Sequence, residues 1–582
     1  ERQVLLSGFG IRDTHAGPSN LRYGFDNRVW GAVGYSGYEK GDLGFGQAIW
    51  SMRPNGTDMA HEASFSNNTW GLGFSETFDI FGSTANNTHA VYVGIPHRYN
   101  REVKGLPNRA GSAKIDGHYS MAAITPNVRQ VDVFGGFTAA AGINLYTARA
   151  YPREYWNRIA FVSEPTGGVL HRAILEKQGA GFVEKDGWNL VASVDEWMGP
   201  VDAQVGPDGQ EWVADWYNFI IQHNPTPPGF PNGQGNAYEN PLRDKTHGRI
   251  YRVVYTGSEP AQKKTLSGAG PEELLRALED ENLFWRLTAQ RLLVERGNRD
   301  VVPQLIRLVA STRTDALGLA PGPLHALWTL HGLGALDGGN AQATTAAVGA
   351  LRHPVAAVRK AAAQVLPAGT ALAGQLQAAN VLTDPDPHTR LAAVLRLSEL
   401  PASEELGALL YRLSLAPEMA QDRWLSEAVY TAAAHHRPGF LKAYAAALGA
   451  GEYRALAERL AAEESAPRPQ QQAQGWPPRD PQPELDRPVA ERVLRAYVED
   501  VVGPIQRPQM AGGPRGGQGG AADQPAFELT MSIIPGQLKF ALPEFTVKPG
   551  QRVRITLTNP DDMQHNLLVL RPADASPTAG QG

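Results

Sequence analysis

The sequence predicts a multidomain chain: an incomplete β-propeller over residues 1–257, an α-solenoid over 270–463 and a partial β-sandwich over 526–582. Three observations predict it. The first region breaks into many short β-type runs separated by turn residues, and one hairpin phrase occurs there twice. The second is rich in Ala, Leu and Arg with helical period, and it too repeats a phrase. The last alternates apolar and polar residues and ends on a strand, a turn and a further strand.

Composition bounds the rest. At 582 residues the chain should hold three or four domains, because single cores rarely grow past a few hundred residues. Hydrophobic content of 42% and charged content of 19% are ordinary for a soluble globular protein. Gly 62 and Pro 43 favour many turns and at least one linker. A net charge of -5 gives no electrostatic reason to expect nucleic acid. No run approaches the ~20 apolar residues needed to cross a bilayer. The chain begins at Glu1 without a leader, which reads as a piece of a longer protein. With no Cys, disulfides, thiolate metal sites and c-type haem attachment are excluded within these residues.

In the first region, strands are expected at Ala90–Gly94, Arg158–Val162, Glu211–Asp215 and Arg249–Val254. The repeated phrase runs Leu21 to Trp30 and again Ala203 to Trp212, each a strand, a Gly-x-Asp turn and a second strand. Strands of this kind suit a sandwich or a propeller, and the recurring hairpin favours the propeller. In the second region, Asp280 to Ala289, His353 to Ala362 and Asp384 to Ala393 each set an Arg (286, 359, 390) three residues before an Ala, with an apolar helical face following. A weaker copy begins near Arg423. Such an array serves as an interaction scaffold or as a packing spacer. Residues 464–525 read as a Pro/Gly/Gln-rich linker, interrupted by one amphipathic helix from Val489 to Val502.

The repeated helical phrases resemble HEAT-type repeats, in which helix pairs stack around a continuous core. The final region resembles the azurin/plastocyanin (cupredoxin) family. Gln551–Asn559 would be a strand, Pro560-Asp561-Asp562 a turn, and His565 opens the next strand, where the family places its first copper ligand. A blue-copper centre is a His₂Cys site with a weak axial ligand. The resemblance therefore implies copper in an intact domain and an incomplete site here. The linker would hold such a module close to the propeller at a raised effective concentration.

Asp13-Thr-His15-Ala-Gly17, followed by Leu21-Arg-Tyr-Gly24-Phe-Asp26, is similar to the propellers of PQQ-dependent soluble sugar dehydrogenases. That resemblance implies that His15 is the general base, taking a proton from a sugar hydroxyl, a role that imidazole suits. It also implies cofactor contact by Asn68, with Asn67 standing where the family has Arg. The carbonyls of Asn86 and Asn87 would hold calcium, which prefers oxygen ligands. The domain order is similar to multidomain bacterial proteins called membrane-bound dehydrogenase-like, which join a propeller, HEAT repeats, a cupredoxin and often a c-type cytochrome.

The expectation is thus an exported (periplasmic or extracellular) redox protein, with possible PQQ and calcium in the propeller, a sugar or alcohol substrate and a c-type cytochrome or other redox partner. The alternative is a non-catalytic carbohydrate- or protein-binding scaffold that carries an electron-transfer cupredoxin. Asp215-Trp216-Tyr217-Asn218, with Gln222 and His223, is a polar and aromatic cluster that could line a central channel. His89 and His97 read as surface loops ahead of metal ligands, His325 and His331 as helix packing, and His435-His436 as a solvated helix end.

Overall fold

The computed structural model describes residues 3–11, 13, 15–86, 88–106, 109–130, 133–222, 244–260, 263–466, 486–505, 527–532 and 553–558. It divides into two compact units, Glu1–Ile221 with Asp244–Pro508, and Gln222–Arg243 with Gln509–Gly582. In the second unit, β18 (Phe527–Ser532) and β19 (Val553–Thr558) form a parallel pair with Phe527 opposite Val553. His565, the expected copper ligand, lies outside the described residues.

The first unit opens with four antiparallel blades. Blade I is β1 (Pro18–Tyr23), β2 (Val29–Val33), β5 (Ala48–Met52) and β6 (Ala60–Ser64), with the hairpin β3 (Tyr38–Lys40) and β4 (Leu43–Phe45) inserted after β2. Blade II is β7 (Thr69–Phe74), β8 (Ile80–Thr84), β9 (Thr88–Val93) and β10 (Ser112–Lys114), with the short helix α1 (His97–Asn100) before β10. Blade III is β11 (Gly142–Leu145), β12 (Ile159–Glu164), β13 (Val169–Gln178) and β14 (Gly181–Ala192). Blade IV is β15 (Pro200–Val205), β16 (Glu211–Asp215) and β17 (Arg249–Val253). Every strand pairs with its sequence neighbour within its blade, which is the β-propeller arrangement expected from the sequence. The innermost strands β1, β7, β11 and β15 pack against one another in that order. Both faces of the middle strands are therefore covered, and β5, β8 and β12 read as continuously buried runs.

The two copies of the hairpin phrase have one physical basis. In β1–β2, Asp26 accepts a 2.9 Å hydrogen bond from the Trp30 indole; in β15–β16, Asp208 accepts one of 3.0 Å from Trp212. The indole folds back over the turn, so a Cβ on Gly24 or Gly206 would overlap it.

The helical region follows: α2 (Pro271–Ala277), α3 (Leu283–Glu295), α4 (Val302–Val309), α5 (Pro321–Gly332), α6 (Ala341–Ala350), α7 (Ala356–Val365), α8 (Leu372–Ala378), α9 (Pro387–Leu397), α10 (Glu404–Ser414), α11 (Pro417–Ala420) and α12 (Arg423–His435). After these come α13 (Arg437–Leu448), α14 (Ala450–Ser465), α15 (Val489–Ala496) and α16 (Glu499–Val502). Asn282, Asp386, Ser403 and Asp422 cap α3, α9, α10 and α12 by accepting backbone N–H bonds. Successive members of the row α3, α5, α7, α9, α12 and α15 touch.

That row meets the blade hairpins. Gln290 donates to the Phe25 carbonyl at 2.7 Å, and Trp328 packs on Phe78. Lys360 donates to Asp79 at 2.6 Å, and Trp424 packs edge-on against Tyr92. The repeated arginines have a local task as well: Arg286 donates to the Asp280 carbonyl and Arg359 to the His353 carbonyl, each six residues upstream. Both bonds tie the preceding turn to the helix.

Two sequence expectations change here. His436 is not solvated: it is fully buried, 2.9 Å from the Leu397 carbonyl, and accepts from the Ser403 N–H. The 489–502 segment does not interrupt a free linker, because Val489, Val493 and Leu494 are buried and Arg492 pairs with Glu427 of α12. Apolar residues at helical spacing needed a partner, and α12 supplies it.

Candidate functional site

His15 sits in the loop before β1. Local bonds hold that loop tightly. Asp13 accepts from the His15 N–H at 2.7 Å, and the Ala16 carbonyl accepts from Gly34 and Ser36 beyond β2. The His15 carbonyl receives the Trp70 indole N–H and, at 3.4 Å, the Asn68 carboxamide. With its backbone pinned, the imidazole stands edge-on between two indoles, 5.8 Å from Trp216 and 6.4 Å from Trp70 by ring centroid.

Trp216 belongs to the Asp215-Trp216-Tyr217-Asn218 cluster at the end of β16. Asp215 holds this turn by accepting from the Gly199 and Tyr217 N–H groups at 2.8 and 2.7 Å. Tyr217 sits at φ 53° beneath the Arg249 guanidinium, 3.6 Å from its ring centre. Residues from the first, second and fourth blades therefore converge on His15: one imidazole, two indoles and the amide of Asn68.

Deeper in, Arg22 of β1 donates to the Leu72 carbonyl at 2.6 Å and pairs with Asp202 of β15 at 3.3 Å, joining the first blade to the second and fourth. Glu211 is fully buried beside this pair; burial first, then the Asp202 charge, pushes its carboxyl well above the ordinary range, against Arg22. Glu164, at the end of β12, is raised to about 7 by burial, although it accepts from the Ala139 and Thr166 N–H groups at 2.8 and 3.0 Å. Asp26 is raised to about 6, again chiefly by burial.

The expected cofactor residues fall as follows. Asn68 is buried, its carboxamide bracing the Tyr35 N–H and the His15 carbonyl. Asn67 is buried too, accepting from the Tyr35 hydroxyl and from its neighbour's N–H. A quinone bearing carboxylates needs a guanidinium fork at this corner, and a carboxamide already engaged by Tyr35 does not supply one. Asn86 takes a left-handed turn at φ 57° and donates its N–H to the Thr138 carbonyl at 3.0 Å, while Asn87 lies outside the described residues, as does His223.

His97 lies against His61, ring centres 4.2 Å apart and tilted by 40°. His89 is not on a surface loop: it lies on β9, fully buried, among His118, His171 and Glu184. Sequence reasoning missed those three residues and Asn20, which donates from β1 to the Trp70 carbonyl. Neither His171 nor Glu184 stands out in sequence, because β13 and β14 carry several other charged residues, among them Arg172, Glu176, Lys185 and Asp186.

Residues 1–257 match a family model described as a domain of unknown function, DUF7133. A search of curated proteins finds no match. Among solved structures, a glucose dehydrogenase-type oxidoreductase from Thermus thermophilus aligns at 16% identity and TM-score 0.24, covering 41% of this chain and 66% of that one. The PQQ-bound aldose sugar dehydrogenase of Streptomyces coelicolor aligns at 14% identity and TM-score 0.21, covering 38% and 60%. A further glucose dehydrogenase aligns at 12% identity and TM-score 0.24, covering 44% and 88%. The chain spans less than two-thirds of the length of the first two, and at these scores none of the three transfers an activity to it.

Proposed function

We propose that the propeller is the substrate-handling part of a sugar or alcohol oxidoreductase. The observation that carries this reading is the His15 imidazole, backbone-locked between Trp70 and Trp216. Indole faces accept the apolar faces of a sugar or alcohol, and convergent polar groups orient its hydroxyls. His15 would then take the proton of the reacting hydroxyl, positioned by a loop that Asp13, Asn68 and Trp70 hold still. The same reading takes the helical region as a HEAT-like scaffold, and the last residues as the beginning of an exported cupredoxin that, with copper, passes electrons to a cytochrome.

A second reading, carbohydrate binding without oxidation, is favoured by one observation: Asn67 and Asn68 are both spent on the scaffold. The two readings separate in one set of measurements. Tryptophan fluorescence of the chain is titrated with sugars and alcohols, and dye reduction is assayed after addition of PQQ and calcium. The oxidoreductase reading expects dye reduction that His15→Ala abolishes while ligand binding persists, and Trp216→Ala weakens binding. Quenching that depends on Trp216 without any dye reduction leaves the binding reading alone. Absence of both sinks both.

A further inference from the structure

The second and third blades bring together a group of side chains that the His15 site does not use. His89 lies on β9, His118 in the turn after β10, His171 on β13 and Glu184 on β14. One ligand atom from each lies within 4.8 Å of all the others. The separations are 3.3 Å between His118 Nε2 and His171 Nε2, and 3.4 Å from His89 Nε2 to Glu184 Oε2. His118 Nε2 and His171 Nε2 stand 3.4 and 3.6 Å from Glu184 Oε1. Nitrogen and oxygen ligands bound at ~2.0–2.1 Å on a tetrahedral ion stand about 3.3–3.4 Å apart. Four of the six ligand-to-ligand separations thus lie close to the edge of a zinc-sized tetrahedron, those to Glu184 through both of its oxygens, and the whole set closes within 4.8 Å.

The surroundings favour an ion over ordinary packing. His89 is fully buried and neither ring nitrogen has a hydrogen-bond partner; Glu184 is also buried, with Oε1 unpartnered. Burying such groups unsatisfied is costly, and an ion at the centre would take up His89 Nε2 and Glu184 Oε1. The outward ring nitrogens face second partners. His89 Nδ1 is 3.3 Å from Asp116, His118 Nδ1 3.0 Å from the Ser120 carbonyl, and His171 Nδ1 3.9 Å from Asp186. Carboxylates and carbonyls in that position orient metal-binding imidazoles.

Asp116 is itself fixed by the His89 and Ala90 N–H groups, and Glu184 by the Gly117 N–H at 2.6 Å. Register shifts flank His171 on β13, and such bulges re-aim a side chain. Phe137 stacks on His89 at 4.1 Å and closes one side.

We propose that His89, His118, His171 and Glu184 form a tetrahedral site for a zinc-class divalent metal ion, clamping the second blade to the third. Imidazole and carboxylate donors suit such ions. Four protein ligands leave no open position, so the role is structural, and it stands independently of the His15 reading.

The metal-stripped chain is titrated with Co²⁺ and read by visible absorption. The expected result is one saturating ion with the intense bands of tetrahedral cobalt, displaced by Zn²⁺, and a thermal midpoint that rises with Zn²⁺. His118→Ala, at the most exposed ligand, and Glu184→Gln should abolish these bands. Asp116→Asn should weaken binding roughly 10–100-fold, while His565→Ala should leave the bands unchanged. Should the ligand variants fail to fold, X-ray absorption of the zinc-loaded wild type decides, with three imidazoles and one carboxylate expected. An octahedral spectrum, a shell without imidazoles, or binding that survives both ligand variants overturns the site. So does absence of binding, which would leave a hydrogen-bonded His118–Glu184 pair.

Discussion

Glu76 offers the sharpest test of how the propeller and the helices hold together. It lies in the turn between β7 and β8, almost fully buried, and receives the Arg149 guanidinium through two bonds of 2.8 and 2.9 Å. Arg286 of α3 reaches the same carboxylate, and Arg149 also meets Asp315, ahead of α5, at 2.8 Å. Glu76→Gln leaves two buried guanidinium groups with Asp315 as the remaining carboxylate. Removing one partner of a buried pair costs about 3–5 kcal/mol, because the other charge stays desolvated. Against a typical total stability of ~5–15 kcal/mol that is a large fraction. Urea unfolding, followed by tryptophan fluorescence for the blades and far-ultraviolet dichroism for the helices, should show both midpoints falling together. Adding Arg286→Met should cost less than the sum of the single changes, since the two residues share one interaction. A loss below ~1 kcal/mol would place the pair with exposed ion pairs and refute the reasoning, as would a shift in one signal alone.

Two further perturbations follow from burial. Glu164 titrates near 7 when folded and near 4.5 in an unfolded chain, so the native state binds its proton more tightly. Its stabilising contribution is complete below about pH 4.5 and is lost as pH rises through 7, by about 3 kcal/mol at most. Glu164→Gln should flatten that part of the pH–stability curve, and an unchanged slope in urea titrations at several pH values would refute it. Gly94→Ala places a Cβ into the Trp424 ring, and overpacking there should cost about 1–3 kcal/mol in urea unfolding. An unaltered midpoint would mean that α12 does not seat on β9 as described.

The local patterns are legible because they are written in neighbouring residues. The Gly-x-Asp…Trp hairpins, the strands at 211–215 and 249–253, and the helical period after 270 each follow from spacing and side-chain size. So do the cluster at Asp215–Asn218 and the place of His15 ahead of the first strand. His89 and His436 depart from expectation because a histidine's burial depends on what other elements bring to it. The 489–502 helix reads as part of a linker because nothing nearby in sequence announces α12.

By itself, then, the sequence determined short hairpins in the first region, helices in the second and a loop histidine at the entry to the first strand. Those outcomes rest on turn chemistry and periodicity, which act over a few residues. Only the tertiary structure decided that Trp216 faces His15, that Arg22 crosses to Asp202, and that a row of helices seats on the blade hairpins through Glu76 and Asp79. It alone gathered His89, His118, His171 and Glu184 to within 4.8 Å. Side chains as distant in sequence as His89 and Glu184 meet because two blades pack side by side, and no local pattern encodes which strands will be neighbours.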